Sequence, residues 1–181
     1  DFFLVPAAYP DITSQIIENI PTVRMIQTTG TGHNRIDLQS AARLGLPVAN
    51  SPGRNVTTVA EFTLALLIAL QRHLVVSDRQ IKAGQYARAR EHAFKSGSRE
   101  VAEANIGIIG FGGIGRKVTE LALSLGASVS YHDVERAPEK VENELQVTFK
   151  PLDELLAACD VISLHVPLTD RTRGMVGSKE F

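Results

Sequence analysis

The sequence predicts an α/β protein made of two parallel-sheet units with helices on both faces. Three observations carry this expectation. Short apolar runs alternate with segments of helical spacing from Asn105 to Val166. The first fifty residues show the same alternation. A glycine-rich turn, Gly110-Phe111-Gly112-Gly113-Ile114-Gly115, joins one apolar run to the helical segment after it. Runs that are nearly continuously apolar suit strands covered on both faces, and such strands belong to parallel sheets.

Composition sets the outer bounds. The chain has 181 residues, 44% hydrophobic and 22% charged, enough apolar material to core one or two domains. Nineteen Lys and Arg against twenty Asp and Glu leave a net charge of −1, with neither sign gathered into a block. That balance points away from nucleic acid or a membrane surface as the main partner. A single cysteine, Cys159, forms no internal disulfide or metal cluster. It is expected as a small packed residue in a reducing, cytoplasmic compartment.

In chain order, Phe2–Ala7 and Val23–Thr29 read as short buried strands, with helical spacing at Ile12–Asn19 between them. Leu38–Leu44 is a short helix ended by Gly45, and Pro47–Asn50 a further strand. The turn-rich run Ser51-Pro52-Gly53-Arg54-Asn55 places a domain boundary between residues 53 and 54. A long helix follows over Val56–Val76. Its stretch Phe62–Leu70 is apolar almost all round but only about nine residues long, against the ~20 a bilayer span requires. Such a helix is buried on several sides, by a second subunit where its own domain is too thin. A shorter helix is expected at Asp78–Ala83, then a polar, irregular excursion over residues 84–104. The opening residues Asp1–Val5 lack the basic start of a signal peptide.

From Asn105 the pattern is regular. Strands are expected at Asn105–Ile109, Ala127–His132, Val147–Phe149 and Val161–Val166, and helices at Gly113–Leu125 and Leu152–Ala158. Gly110–Gly115 matches G-x-G-x-x-G, a weak signal by itself. Here it follows a strand and opens a helix, the context in which it cradles a dinucleotide. Gly110 allows the tight turn, Gly112 lets a pyrophosphate approach the backbone, and Gly115 lets helix and strand pack closely. The free N–H groups at the helix start then face the phosphates. Asp133, at the end of the next strand, stands where a carboxylate accepts hydrogen bonds from the adenosine ribose and repels a 2′-phosphate, favouring NAD over NADP. Arg136, three residues on, is the one feature that would soften that preference.

Four stretches together resemble the D-isomer-specific 2-hydroxyacid dehydrogenases. They are the glycine loop; Gly30-Thr31-Gly32-His33-Asn34-Arg35-Ile36-Asp37; Asn50-Ser51-Pro52-Gly53-Arg54-Asn55 with Val59-Ala60-Glu61-Phe62; and Asp160 to Thr169 (DVISLHVPLT) with Thr172 and Gly174. The resemblance implies part of a flavodoxin-like substrate domain at residues 1–53. It implies a Rossmann-type, NAD-binding, doubly wound parallel sheet at residues 54–181, incomplete at its C-terminal end. It further implies hydride transfer between nicotinamide and C2 of a small 2-hydroxy or 2-oxo acid, and a homodimer through the Val56–Val76 helix. By the motif match, Thr31, Gly32 and Asn55 lie at the substrate, with Thr31 also beside the cofactor. Gly110, Gly112, Gly113, Ile114 and Gly115 hold the pyrophosphate and Asp133 the ribose, while Val166, Pro167 and Thr172 border the cofactor.

The family's catalytic Arg, Glu and His match no residue here and are expected beyond Phe181, which would make the chain truncated at both ends. His165 matches a non-catalytic position beside the cofactor. His33, His73, His92 and His132 have no acid at informative spacing and are expected to be solvated or at helix ends. Arg54 is expected at an exposed rim. The loop Leu4–Pro10, with Ala7, Ala8 and Tyr9, offers no positive charge to a phosphorylated substrate. That favours an unphosphorylated hydroxy acid or a sugar acid reaching Arg54. The alternative is a non-catalytic NAD-binding regulatory or corepressor-like module.

Overall fold

The computed structural model describes residues 1–6 and 10–180. The described chain forms two compact units, Asp1–Asn55 with Pro167–Met175, and Val56–Val166 with the residues from Val176 onward. The first unit thus runs two residues past the 53/54 boundary and also takes in the turn that follows the last strand. The loop residues Ala7, Ala8 and Tyr9, and with them the end of the expected strand Phe2–Ala7, lie outside the described residues.

In the first unit, strands β1 (Phe2–Val5), β2 (Met25–Thr28) and β3 (Val48–Ala49) form a parallel sheet in the order β1-β2-β3. Helices α1 (Ser14–Glu18) and α2 (Leu38–Arg43) connect them. Apolar side chains meet because the connections are helical: Val5, Ile12, Ile17, Ile26, Ile36 and Ala41 make one core. Asp37 starts α2 by accepting the Ser40 N–H at 2.9 Å and the Ser40 hydroxyl at 2.8 Å. Those bonds hold its carboxyl below the usual range.

The second unit opens with α3 (Val56–Gln71), α4 (Leu74–Lys82), α5 (Tyr86–Lys95) and a short 3-10 turn at Val101–Glu103. Then follow β4 (Asn105–Ile109), α6 (Gly113–Ser124), β5 (Ser128–His132), α7 (Glu139–Leu145), β6 (Thr148–Phe149), α8 (Leu152–Ala158) and β7 (Val161–Leu164). The sheet is wholly parallel, in the order β6-β5-β4-β7. After β4 the chain winds outward through β5 and β6, then returns to the other side of β4. That reversal makes it doubly wound, and crevices at such switch points, outside the carboxyl ends of the strands, bind ligands. Ile106, Ile108 and Ile109 of β4 are completely buried, and Val118 and Ala122 of α6 cover the strand.

Three expectations need correction. The helix expected over Val56–Val76 breaks at His73, which adopts the left-handed conformation (φ 51°). α4 then leaves at 67° to α3. Such a conformation is unusual outside glycine and gives no composition signal. On α3 only Ala60 and Leu67 are buried, while Phe62, Leu66 and Leu70 are 64%, 55% and 67% exposed. Residues 84–104 are not irregular. α5 forms on the propensity of Ala, Arg, Glu and Lys, with a Lys95–Glu91 pair one turn apart, and buries only Ala89. α7, which apolar spacing does not predict, likewise rests on charge placement: it carries Glu139 and Glu142 in its first turn and stops at Gln146, φ 52°. No single helix among the described residues is long and apolar enough to cross a membrane.

Candidate dinucleotide-binding site

β4 delivers the chain into the glycine loop, and each glycine meets a different demand. Gly110 has φ 96°, and a Cβ there would lie 2.7 Å from the His165 carbonyl carbon, where the chain leaving β7 crosses the loop. At Gly115 a Cβ would stand 2.0 Å from the Gly110 oxygen. Helix and strand therefore approach as closely as the missing side chain permits. Gly112 is the contrary case: no heavy atom lies within 4 Å of a Cβ built on it. It starts α6 without a capping side chain. The first N–H groups of α6, from Gly113, Ile114 and Gly115, have no intrahelical acceptor. A helix of twelve residues with uncapped amides and open space before them suits an anion.

Asp133 lies just past β5, half-buried, and reaches back to the loop. Its Oδ2 accepts the Phe111 N–H at 2.6 Å and its Oδ1 the Val134 N–H at 2.7 Å. Each oxygen keeps a lone pair, so the carboxylate can still accept from the two hydroxyls of a ribose. Arg116 donates from Nε to the Phe111 carbonyl at 3.0 Å, fixing the loop from the helix side. The arrangement fits a dinucleotide: an open backbone cradle, free amides at a helix start, and an acceptor-only carboxylate beside them.

Beneath the loop lies a network with little warning in the sequence. The Phe111 ring stacks on Tyr131 at 3.9 Å. The fully buried Tyr131 hydroxyl donates to Glu142 Oε1 at 2.5 Å and accepts the Ala137 N–H at 2.9 Å. Glu142 also receives both arms of Arg136, at 2.9 and 2.8 Å. The Arg136 guanidinium, then the Tyr131 hydroxyl, pull the Glu142 carboxyl from its ordinary 4.5 down to about 2. Burial, and then Glu142, push the Tyr131 hydroxyl up. The one signal was the separation of Arg136 and Glu142 across a turn, which pattern reading does not resolve.

Val166 packs over Gly110, its Cγ1 2.9 Å from a Cβ built there. His165 hydrogen-bonds through Nε2 to the Ser163 hydroxyl at 2.9 Å, and burial pushes its pKa down, keeping the ring neutral. Next along the chain, the Thr172 hydroxyl donates to the Pro167 carbonyl at 2.5 Å and accepts the Thr169 N–H at 2.8 Å. Thr172 thus fixes its own turn. In the first unit, Thr31 and Gly32 sit in an exposed loop after β2. The Asn50 amide holds the Thr31 carbonyl at 2.9 Å, while the Ser51 N–H and Thr28 hydroxyl both hold the Gly30 carbonyl. Asn55 and Arg54 are exposed.

The remaining histidines are placed by structure. His33 is exposed, His73 precedes α4 and His92 is in the last turn of α5, whereas His132 is neither solvated nor at a helix end: it is part-buried at the end of β5 and bonds the Lys150 carbonyl at 3.0 Å. Cys159 is partly buried, its thiol pushed up by that burial, with Sγ 3.1 Å from a Cβ built on Gly107. No group of three metal-ligating side chains occurs among the described residues.

A family model described as the NAD binding domain of D-isomer specific 2-hydroxyacid dehydrogenases matches residues 64–181. A glyoxylate reductase of Aeropyrum pernix is 34% identical over 171 residues, 93% of this chain and 51% of that protein. A solved formate dehydrogenase from Granulicella superposes with a TM-score of 0.89 at 26% identity, covering 99% of this chain and 48% of that one. The D-lactate dehydrogenase of Aquifex aeolicus, solved in complex with NAD and lactic acid, superposes with a TM-score of 0.83 at 30% identity over 99% of this chain and 52% of that one. The chain spans about half the length of the curated relatives it matches.

Proposed function

The chain belongs to the D-isomer-specific 2-hydroxyacid dehydrogenase family, and from that premise we propose that the protein is an NAD-dependent oxidoreductase acting on a small, unphosphorylated D-2-hydroxy acid or its 2-oxo partner. The observation that carries the reading is the glycine loop with Asp133 bonded to its Phe111 N–H, inside the matched NAD-binding domain. NAD supplies the hydride acceptor, and its reduced form the donor, for C2 of the acid.

The chain's own residues bind and orient. The Gly113 and Ile114 amides, opened by Gly110, Gly112 and Gly115, hold the pyrophosphate. Asp133 accepts from the ribose hydroxyls, and Val166, Pro167 and Thr172 border the cofactor. Backbone groups of Thr31 and Gly32 face the substrate carboxylate, and Asn55 lies close to the substrate. Thr28, Asn50 and Ser51 give that loop its shape. The named relatives act on glyoxylate and on D-lactate, which supports a small 2-oxo acid as substrate. Two copies pair through the segment Val56–Val76, supported by the exposed Phe62, Leu66 and Leu70 of α3. The protein works in the cytoplasm.

The test has two stages on the intact protein. Saturable NADH binding, followed by glyoxylate- or pyruvate-dependent loss of NADH absorbance, is expected. Absence of saturable NADH binding overturns the reading. Binding without turnover on any small 2-oxo acid overturns its catalytic half and favours the regulatory module.

A further inference from the structure

Arg136 is the only cation in the segment Asp133-Val134-Glu135-Arg136-Ala137 that follows the ribose-directed acid. An arginine near that acid is the usual means by which a dinucleotide fold accepts a 2′-phosphate. Here the guanidinium is already engaged. Its Nε donates to Glu142 Oε1 at 2.9 Å and its Nη2 to Oε2 at 2.8 Å, a two-pronged pair. The two side chains differ in setting: Arg136 is 66% exposed and Glu142 8%. The glutamate is therefore the fixed partner and the arginine the tethered one.

Glu142 is fixed from below. The Tyr131 hydroxyl donates to its Oε1, and the Tyr131 ring stacks on Phe111 of the glycine loop. The guanidinium also lies 5.8 Å over the Phe149 ring. A continuous set of contacts thus runs from the loop through Tyr131 and Glu142 to Arg136.

We propose that Glu142 is a specificity-determining residue that enforces NAD over NADP by holding and neutralising Arg136. The proposal rests on the NAD reading above and extends it. With the pair formed, the segment presents Asp133 and Glu135 without a compensating cation, and a 2′-phosphate meets uncancelled negative charge. Asp133 alone does not set the preference; it acts together with an arginine kept out of use. The carboxylate that selects the nucleotide by this route never touches it, so Glu142 is a positioning residue.

The experiment is a set of fluorescence titrations of the intact protein with NADH and NADPH, on the wild type, Arg136→Gln, Glu142→Gln and the double variant. Glu142→Gln keeps an acceptor for Tyr131 while removing the charge. It is expected to tighten NADPH about three- to tenfold, the scale of one charge-assisted contact at a part-exposed site, and to leave NADH unchanged. Arg136→Gln alone should change the NADPH-to-NADH ratio by less than about twofold, because a held arginine contributes nothing to lose; the double variant should cancel the gain.

A ratio unmoved in a folded Glu142→Gln overturns the proposal, as does a gain that survives in the double variant. Should Glu142→Gln fail to fold, Arg136→Gln decides: a loss of NADPH affinity beyond about threefold means that Arg136 was free to bind phosphate, and the proposal falls. Wild type that binds neither nucleotide overturns the NAD reading itself. Wild type that binds NADH, with variants that do not shift the ratio, overturns only the role of Glu142.

Discussion

Alanine at Gly115 and alanine at Gly112 should both weaken NADH binding, but only the first should cost stability, although both glycines belong to one motif. A Cβ on Gly115 would lie 2.0 Å from the Gly110 carbonyl oxygen and 3.1 Å from Ile108 Cγ2, whereas Cβ contacts below 3.0 Å essentially do not occur. The start of α6 or the end of β4 must then shift by about 1 Å. Neither is free to do so, since Ile108, Val118 and Ala122 around them are completely buried. Overpacking of this kind costs about 1–3 kcal/mol, and a backbone obstacle belongs at the upper end. The helical preference of Ala over Gly returns at most about 1 kcal/mol, leaving a net loss near ~2 kcal/mol. For a chain of this size that lowers Tm by roughly 4–8 °C. NADH affinity should fall about tenfold or more, because amides displaced by a bond's width lose at least one charge-assisted hydrogen bond. At Gly112 the new methyl meets no protein atom within 4 Å and φ is −77°, so stability should hold within about 0.5 kcal/mol. The methyl instead fills the space a pyrophosphate needs, and NADH affinity should drop about tenfold or more. Thermal unfolding followed by circular dichroism, paired with NADH titration, reads both effects. Gly115→Ala as stable as wild type, or Gly112→Ala with unaltered NADH affinity, refutes the reasoning.

Other perturbations have equally specific outcomes. Asp133→Ala should weaken NADH about tenfold or more while leaving NADPH nearly unchanged, and cost about 1–2 kcal/mol in urea melts by freeing the Phe111 N–H; equal losses for both nucleotides would remove its ribose role. Tyr131→Phe, which leaves the Ala137 N–H without its acceptor and Glu142 with Arg136 as its remaining donor, should cost about 1–3 kcal/mol by the same assay. Glu142 has a folded pKa of about 2 against an ordinary 4.5. Its stabilising contribution is therefore complete above about pH 4.5 and disappears as pH falls toward 2. Acid unfolding of Glu142→Gln should lack that part of the pH dependence, and an unchanged acid limb would contradict the pairing.

Much of the second sheet is legible in the sequence because β4 and β7 are nearly continuous apolar runs, and β5 alternates Val129 and Tyr131 with polar residues, all at an α/β rhythm. Burial and local pattern agree at Ile106–Ile109 and again at Val129–Tyr131. Where they part, reading the pattern falls short. α5 and α7 are stabilised by propensity and charge spacing, with little apolar face for a periodicity to reveal. The break at His73 depends on a left-handed residue without glycine. The glycine loop is visible because its residue types are imposed by geometry. The second role of Asp133, bonding the Phe111 N–H, and the Tyr131–Glu142–Arg136 network depend on how residues from a strand, a turn and a helix meet, which spacing along the chain does not encode.

The position of β4 within its sheet has a kinetic consequence. It pairs with β5 on one side and β7 on the other, so its amides face strand partners on both edges and its side chains are sealed beneath α6. Amide protons of such a strand exchange with solvent only in the largest opening events, whereas edge strands such as β6 exchange through small ones. The glycine loop is the direct continuation of β4. Fraying at the margins of the unit, through β6 and the exposed faces of α4 and α5, therefore leaves its geometry intact. The ability to take up a nucleotide should be lost together with the slowest-exchanging amides of the unit, and not before them.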